Sequence, residues 1–296
     1  MSESEHPRRI VVGVDAGGSA DNAICAAIDV AHRFDATIEM VHAVESAHHL
    51  GHEPQAEDLD TAKQSIRTRL GASLSGALLP YVSEEHHLVV QAGHASQILL
   101  ERAAIEGTDL LVIGAHRRRG LLDLRSTAHV LLSHAECPVW IQEGPVPEVR
   151  RILVPVDLSD ESLLALRTAC SWAGAWNATI VALHCFLSPE LFYGHGYPVP
   201  GPTYVVDQLR DDARADFEAR MTAFAWGDVP HETVFVEASP AAQILEMQDG
   251  VDLVMMGTHG RTGLSRVILG NVARTVVGEA HVPVVTLRSA ERQWLM

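Results

Sequence analysis

"RRILVPVDLSDESLLALRTACSWAGAWNATIVALHCFL", residues 150 to 187, aligns without a gap on residues 8 to 45, "RRIVVGVDAGGSADNAICAAIDVAHRFDATIEMVHAVE". Arg8 falls on Arg150, Asp15 on Asp157, Ala36-Thr37-Ile38 on Ala178-Thr179-Ile180, and His42 on His184. Further along, "GTDLLVIGAH" matches "GVDLVMMGTH", and "AECPVWIQ" matches "AHVPVVTL". A period of about 142 residues is too long for a solenoid repeat and right for a domain. The 296 residues also exceed what one hydrophobic core usually organises. Two domains follow, 1–145 and 146–296, with "EGPVPE" at 143–148 as a short proline-stiffened linker.

Within each copy, short runs rich in Val, Ile and Leu alternate with segments of helical periodicity, the pattern of a parallel sheet covered on both faces. In the second copy the strands are "RILVPVD", "TIVALHCF", "HETVFVE", "VDLVMMG" and "PVVTLR", with helices near 160–174, 205–224, 239–248 and 268–280. Right-handed crossovers turn this into a doubly wound α/β unit, a five-stranded parallel sheet of order 3-2-1-4-5. Such sheets bind ligands beyond the carboxyl ends of their strands, where the winding reverses. That rule gathers Asp157, His184-Cys185 and the Gly257 loop at one place.

The composition, 47% hydrophobic and 20% charged, is that of a folded globular chain. No apolar run approaches the roughly 18 residues of a membrane span, and "MSESEHPRRI" lacks a signal peptide's apolar stretch, so the expectation is a cytoplasmic protein. A net charge of −16 argues against nucleic-acid and anionic-membrane partners, since Arg117, Arg118 and Arg119 form the only compact basic cluster. Cys25, Cys137, Cys170 and Cys185 lack any C-x-x-C pairing and read as buried thiols.

"GTHGRTGLSRVILGN", residues 257 to 271, carries Gly257, Gly260, Gly263 and Gly270 between a buried strand and a helix. Glycines bring bare N–H groups against a ligand and a helix N-terminus adds partial positive charge, which describes an anion cradle. There is no G-x-x-x-x-G-K-[ST], and the only lysine, Lys63, is remote, which excludes a P-loop hydrolase. "VGVDAGGS" at 12–19 does not fit G-x-G-x-x-G, which argues against a dinucleotide dehydrogenase.

The pattern G-x2-G-x9-G plus a small polar residue, here Gly257, Gly260, Gly270 and Asn271, resembles the signature of the universal stress protein family. "ILVPVDLS" resembles that family's opening, and the duplication resembles its tandem members. The resemblance implies ATP, with Mg2+, bound at Pro155, Val156, Asp157, Cys185, Met256, Gly257, His259, Gly260, Gly270, Asn271 and Val272. Asp157 would meet adenine or the nearby nucleoside, and the Cys185 backbone would line the adenine slot. Gly257, Gly260, Gly270 and Asn271 would hold ribose and phosphates, and Val272 would add a backbone N–H. Other readings stand beside these: Asp157 capping the next helix, Asn271 as a plain N-cap, and His259 touching phosphate or nothing. The resemblance also implies that the last strands of the two copies pair, an internal pseudo-dimer, and that two chains form a homodimer.

The first copy, "GAHRRRGLLDLRS" at 114–126, keeps Asp15, His42, Gly114, His116 and Gly120 but places Arg117 for Gly260, Arg125 for Gly270 and Ser126 for Asn271. Its loop is also two residues shorter, so a bare-backbone cradle is lost there. Arg117 and Arg125 either reach a nucleotide themselves or, with Asp123, pair over a closed site. "HHLGHE" at 48–53 groups His48, His49, His52 and Glu53, but Gly51 and Pro54 favour an exposed loop over a metal site. The long loop 188–206 either covers the nucleotide or meets a partner.

No nucleophile elbow, H-E-x-x-H motif or magnesium-type carboxylate cluster is present. The expectation is a stress-response protein binding ATP in its second domain as a signalling or protective module, and not an enzyme, beyond the weak ATP hydrolysis or autophosphorylation of some members. The alternative is an interaction scaffold of paired α/β domains that binds no nucleotide.

Overall fold

A computed structural model of the chain describes residues 6–15, 20–44, 56–70, 88–105, 107–115, 127–188, 203–258 and 269–288. The first half contributes β1 (Arg9–Gly13), α1 (Asp21–Phe34), β2 (Thr37–Val44), α2 (Ala56–Leu70), β3 (Leu88–Ala92), α3 (Ala95–Ala103), β4 (Leu110–Gly114), α4 (Thr127–His134) and β5 (Val139–Gln142). The second contributes β6 (Arg151–Pro155), α5 (Asp160–Trp176), β7 (Thr179–Phe186), α6 (Thr203–Ala223), β8 (His231–Glu237), α7 (Pro240–Met247), β9 (Leu253–Gly257), α8 (Asn271–Glu279) and β10 (Val284–Leu287). Each half is the five-stranded parallel unit of order 3-2-1-4-5 that the alternation of strands and helices implies. None of the described helices is long and apolar enough to cross a membrane.

The halves join into one ten-stranded sheet, β3-β2-β1-β4-β5-β10-β9-β6-β7-β8. The junction is antiparallel, with Val139, Trp140 and Ile141 opposite Thr286, Val285 and Val284. Odd and even residues of each strand point to opposite faces, so Ile10, Val12, Ile152 and Val154 enter one core while Val11 and Leu153 enter the other. Both cores run through residues of both halves.

Aromatic side chains close the seam on the α1 and α5 face. Trp140, Trp172 and Trp176 are 1%, 2% and 7% exposed, and truncating a side chain so buried costs about 3–5 kcal/mol. Trp140 of the first half stacks on Trp172 of the second, with ring centres 6.3 Å apart, and Phe34 lies 5.8 Å from both Trp172 and Trp176. The Trp176 indole N–H donates to Asp29 across the seam at 2.9 Å, and Arg33 donates to the Ala175 carbonyl at 2.9 Å. The linker is packed rather than loose: the Gln142 amide donates to the Gly144 carbonyl at 3.1 Å, and Val149 is buried.

One acid in each half fixes where the sheet begins. Asp252 accepts the backbone N–H groups of Arg150 and Arg151, both at 2.8 Å, just as Asp109 accepts those of Arg8 and Arg9 at 2.8 and 3.1 Å. Each carboxylate thereby ties the start of the first strand in its half to the start of the fourth. Replacing Asp252 with alanine leaves two donors without their charged acceptor, and urea denaturation is expected to show a loss of about 1.5–3 kcal/mol.

Candidate functional site

In the second half the winding reverses between β6 and β9, and three segments end there together. The first is the β6–α5 turn. Asp157 Oδ1 accepts both the backbone N–H and the hydroxyl of Ser159, at 3.0 and 2.5 Å. Ser159, and not Asp157, is the N-cap of α5, its Oγ accepting the Ser162 N–H at 3.3 Å. The capping role considered for Asp157 therefore belongs to Ser159, and Asp157 braces that cap. Between them Leu158 adopts a left-handed φ of 65°, a conformation an unbranched-Cβ residue takes at a cost, with its side chain held in the core.

The second segment is the end of β7. The Val156 N–H donates to the Leu183 carbonyl at 2.8 Å, and the Val156 carbonyl lies 2.6 Å from His184 Nδ1. Both backbone groups of Val156 are thus engaged, and its side chain lies in the core, so this residue serves as floor. His42 and Val14 repeat the arrangement in the first half at 2.8 Å. Hydrogen-bonding direction alternates along a parallel strand: Leu183 faces β6 while the Phe186 carbonyl faces β8 and accepts the Ala238 N–H. Cys185 must therefore point its N–H and C=O toward β6, past the point where β6 has ended. These two groups border an open cleft of about 440 Å³ with Asp157, His184, Phe186 and Leu187. Leu209 and Ala213 of α6 form its far wall.

The third segment is the end of β9. Thr258 donates to the Leu287 carbonyl at 3.0 Å, and the Gly270 N–H donates to the Thr258 carbonyl at 2.9 Å. That second bond pins together the two ends of the glycine loop and sets the start of α8 beside the end of β9. Gly270 is the N-cap of α8, with φ −58° and ψ 147°, and its carbonyl accepts the Arg274 N–H at 2.9 Å. Asn271 is consequently the first helical residue and not the N-cap; it is exposed, and among the described residues no side chain caps this helix. The N–H groups of Asn271, Val272 and Ala273 precede the first intrahelical bond and carry the positive end of the helix dipole. The α5 N-terminus nearby is instead capped by Ser159 and already faced by Asp160 and Glu161. Of these two helix starts, α8 is the one whose N-cap residue, Gly270, brings no side-chain cap and whose first turn carries no acidic residue.

The model of the universal stress protein family matches residues 6–142 and again residues 148–288. This chain belongs to the universal stress protein family. It is similar to the universal stress protein MJ0531 of Methanocaldococcus jannaschii, 32% identical over 149 residues, covering 49% of this chain and 85% of that one. The Mycobacterium tuberculosis universal stress protein Rv2623 is 31% identical over 183 residues, 60% of each chain, and the Rv2005c protein is 26% identical across 98% of this chain and 100% of its own. Among solved structures, a universal stress protein from Archaeoglobus fulgidus superposes with a TM-score of 0.67 at 15% identity, covering 97% of this chain and 99% of that one. The tandem arrangement of two family domains is thus shared over whole chains.

Of the residues singled out in this universal stress protein's sequence, Pro155, Val156, Asp157, Cys185, Met256, Gly257, Gly270, Asn271 and Val272 meet at this end of the sheet. The Met256 side chain is buried in the core, leaving only its backbone toward the site. His259 and Gly260 lie outside the described residues, as do His48, His49, His52, Arg117, Asp123 and Arg125. Among the described residues no group of three or more His, Cys, Asp or Glu side chains is placed to hold a metal ion. All four cysteines are free, and burial pushes the Cys185 thiol up to about 12, so it lines the cleft as a neutral, apolar group. Leu158, Leu209 and Ala213 went unnoticed in the sequence; for the latter two, the i, i+4 spacing along α6 is the signal.

Gly257 has a reason of its own to be glycine. A Cβ there would lie 2.9 Å from the Cβ of Glu161 and 3.2 Å from its backbone carbon, because the first turn of α5 rests directly on the end of β9. Gly257→Ala must push α5 away, so thermal melting without any ligand is expected to show a loss of about 1–3 kcal/mol.

Proposed function

We propose that this universal stress protein binds one ATP per chain, in its second half, and serves as a nucleotide-dependent signalling or protective module in the cytoplasm. The observation that carries this reading is the pinned loop: the Gly270 to Thr258 bond presents three first-turn N–H groups of α8 beside the switch point, where a triphosphate finds both hydrogen bonds and a favourable dipole. Phosphate anions are drawn to the α8 start and repelled from Asp157, which lines the cleft beyond β7, and that difference orients the nucleotide. The neutral base then faces the outward N–H and C=O of Cys185. An adjacent donor and acceptor match the N1 acceptor and N6 donor of adenine, whereas guanine presents the opposite polarity. Mg2+ enters with the phosphates.

The first half keeps the same floor, His42 against Val14, but its sequence puts Arg117 and Arg125 where the second loop has glycine. The stoichiometry is therefore one and not two. Mass spectrometry of small molecules released from the denatured, full-length chain is expected to recover about one ATP per chain after saturation with ATP and magnesium, with GTP competing poorly. Gly260→Arg, which writes the first loop into the second, is expected to abolish retention while leaving the melting curve of the unliganded protein unchanged. No retained nucleotide at saturation would sink the reading and leave the paired-domain scaffold in its place.

A further inference from the structure

An open sheet has two outer edges, and each needs to be covered, blunted or paired. Here the outer strands are β3 and β8, since β5 and β10 are taken up by the seam. Hydrogen-bonding direction alternates along a parallel strand, so the backbone shows which residues of each edge face away from the sheet. On β8, the Pro230 carbonyl and the Ala238 N–H both bond to β7, which turns the groups of His231, Thr233, Phe235 and Glu237 outward. Charge blunts that edge. Glu232 pairs with Arg151 at 2.9 Å, Glu237 lies 3.5 Å from Arg210 of α6, and the Arg214 guanidinium sits 4.4 Å above the centre of the Phe235 ring. On β3, the Gly93 N–H donates to the Val44 carbonyl of β2, so Leu88, Val90 and Ala92 turn their N–H and C=O groups outward. Among the described residues nothing bonds to these groups, and the strand, "LVVQA", carries no charge.

We infer that β3 is the docking edge for a second copy of this chain, whose own β3 runs antiparallel to it about a two-fold axis normal to the sheet. Two observations name the occupant. The seam shows that edges of this fold accept one another antiparallel: Val139 and Ile141 on one side, Thr286 and Val284 on the other, turn two residues each toward the opposing strand. β3 has three such residues to give. An axis through Val90 pairs Val90 with its own copy and Leu88 with Ala92, large against small. The second observation is charge. In a chain of net charge −16, the sequence of α2 is balanced, with Glu57, Asp58 and Asp60 ahead of Lys63, Arg67 and Arg69. This helix packs against β3, with Ile66 buried on the face to which Val90 also packs. The same axis lays the two α2 helices antiparallel on one face, acidic start toward basic end, so the copies approach where like charge does not oppose them. Neither β3 nor α2 belongs to the second-half site, and the inference stands apart from the ATP reading.

Light scattering of the full-length chain over a range of concentrations is expected to show a dimer that dissociates on dilution. Ala92→Lys changes an exposed position and puts a charge on the edge, and it is expected to weaken the dimer by about tenfold or more. Val90→Pro removes only an outward N–H, keeps the bonds to β2, and is expected to leave a monomer. Thr233→Pro makes the same change on β8 and is expected to leave the dimer intact, which separates lost pairing from the general cost of a strand proline. Hydrogen exchange in the segment 88–92 is expected to slow as the concentration of the native chain rises, and to stay fast in Ala92→Lys. A chain that is monomeric at every concentration overturns the inference. So does a dimer that survives both β3 variants, or one that Thr233→Pro dissociates.

Discussion

Val139 and Ile141 turn outward backbone donors and acceptors that their own half cannot use, because β5 is the last strand of that half's sheet. An open edge of this kind recruits other chains unless something covers it. Here the edge is met by Val284, Val285 and Thr286 of the second half, running the opposite way. Everything else about the assembly depends on that choice. The antiparallel junction brings α1 and α5 onto the same face, where Phe34, Trp172 and Trp176 close over Trp140. It leaves β3 and β8 as the two outer edges of a single sheet.

The same topology decides where the ligand chemistry falls. The winding reverses beside β6, one strand away from β9 and two from the junction, so the site lies on the flank of the second half and not on the seam. The two are connected through α5. Its first turn lies against Gly257 and is capped by Ser159 under Asp157, while its last two turns carry Trp172 and Trp176. One rigid helix thus has one end in the candidate nucleotide site and the other in the contact between halves.

Much of this was legible in the sequence for a simple reason: strands and helices alternate with strong periodicity, and the chain states the pattern twice. The strand order, the position of the switch point and the gathering of Asp157, Cys185 and the glycine loop followed from that. What escaped was whatever depends on distance between elements. Gly257 reads in sequence as part of an anion cradle, and only the 2.9 Å approach of Glu161 reveals its packing duty. Asn271 looks like a cap by residue type, but the bond from Gly270 to Thr258 starts the helix one residue earlier. Leu158 gives no hint of a positive φ, since leucine seldom takes one, and the strain is sustained by its burial and by the hydrogen bonds of Asp157.

The seam carries one more lesson. When identical subunits meet about a two-fold axis, every residue must suit its own copy, and a bulky group near the axis collides with itself. In this chain Trp140 stands opposite Val285, and Trp176 of one half occupies the place that Phe34 holds in the other. Large fits against small, and tryptophan against phenylalanine, in combinations that self-pairing forbids. Covalent fusion has exchanged a surface that must recognise itself for two surfaces shaped only for each other, and so each half is free to specialise.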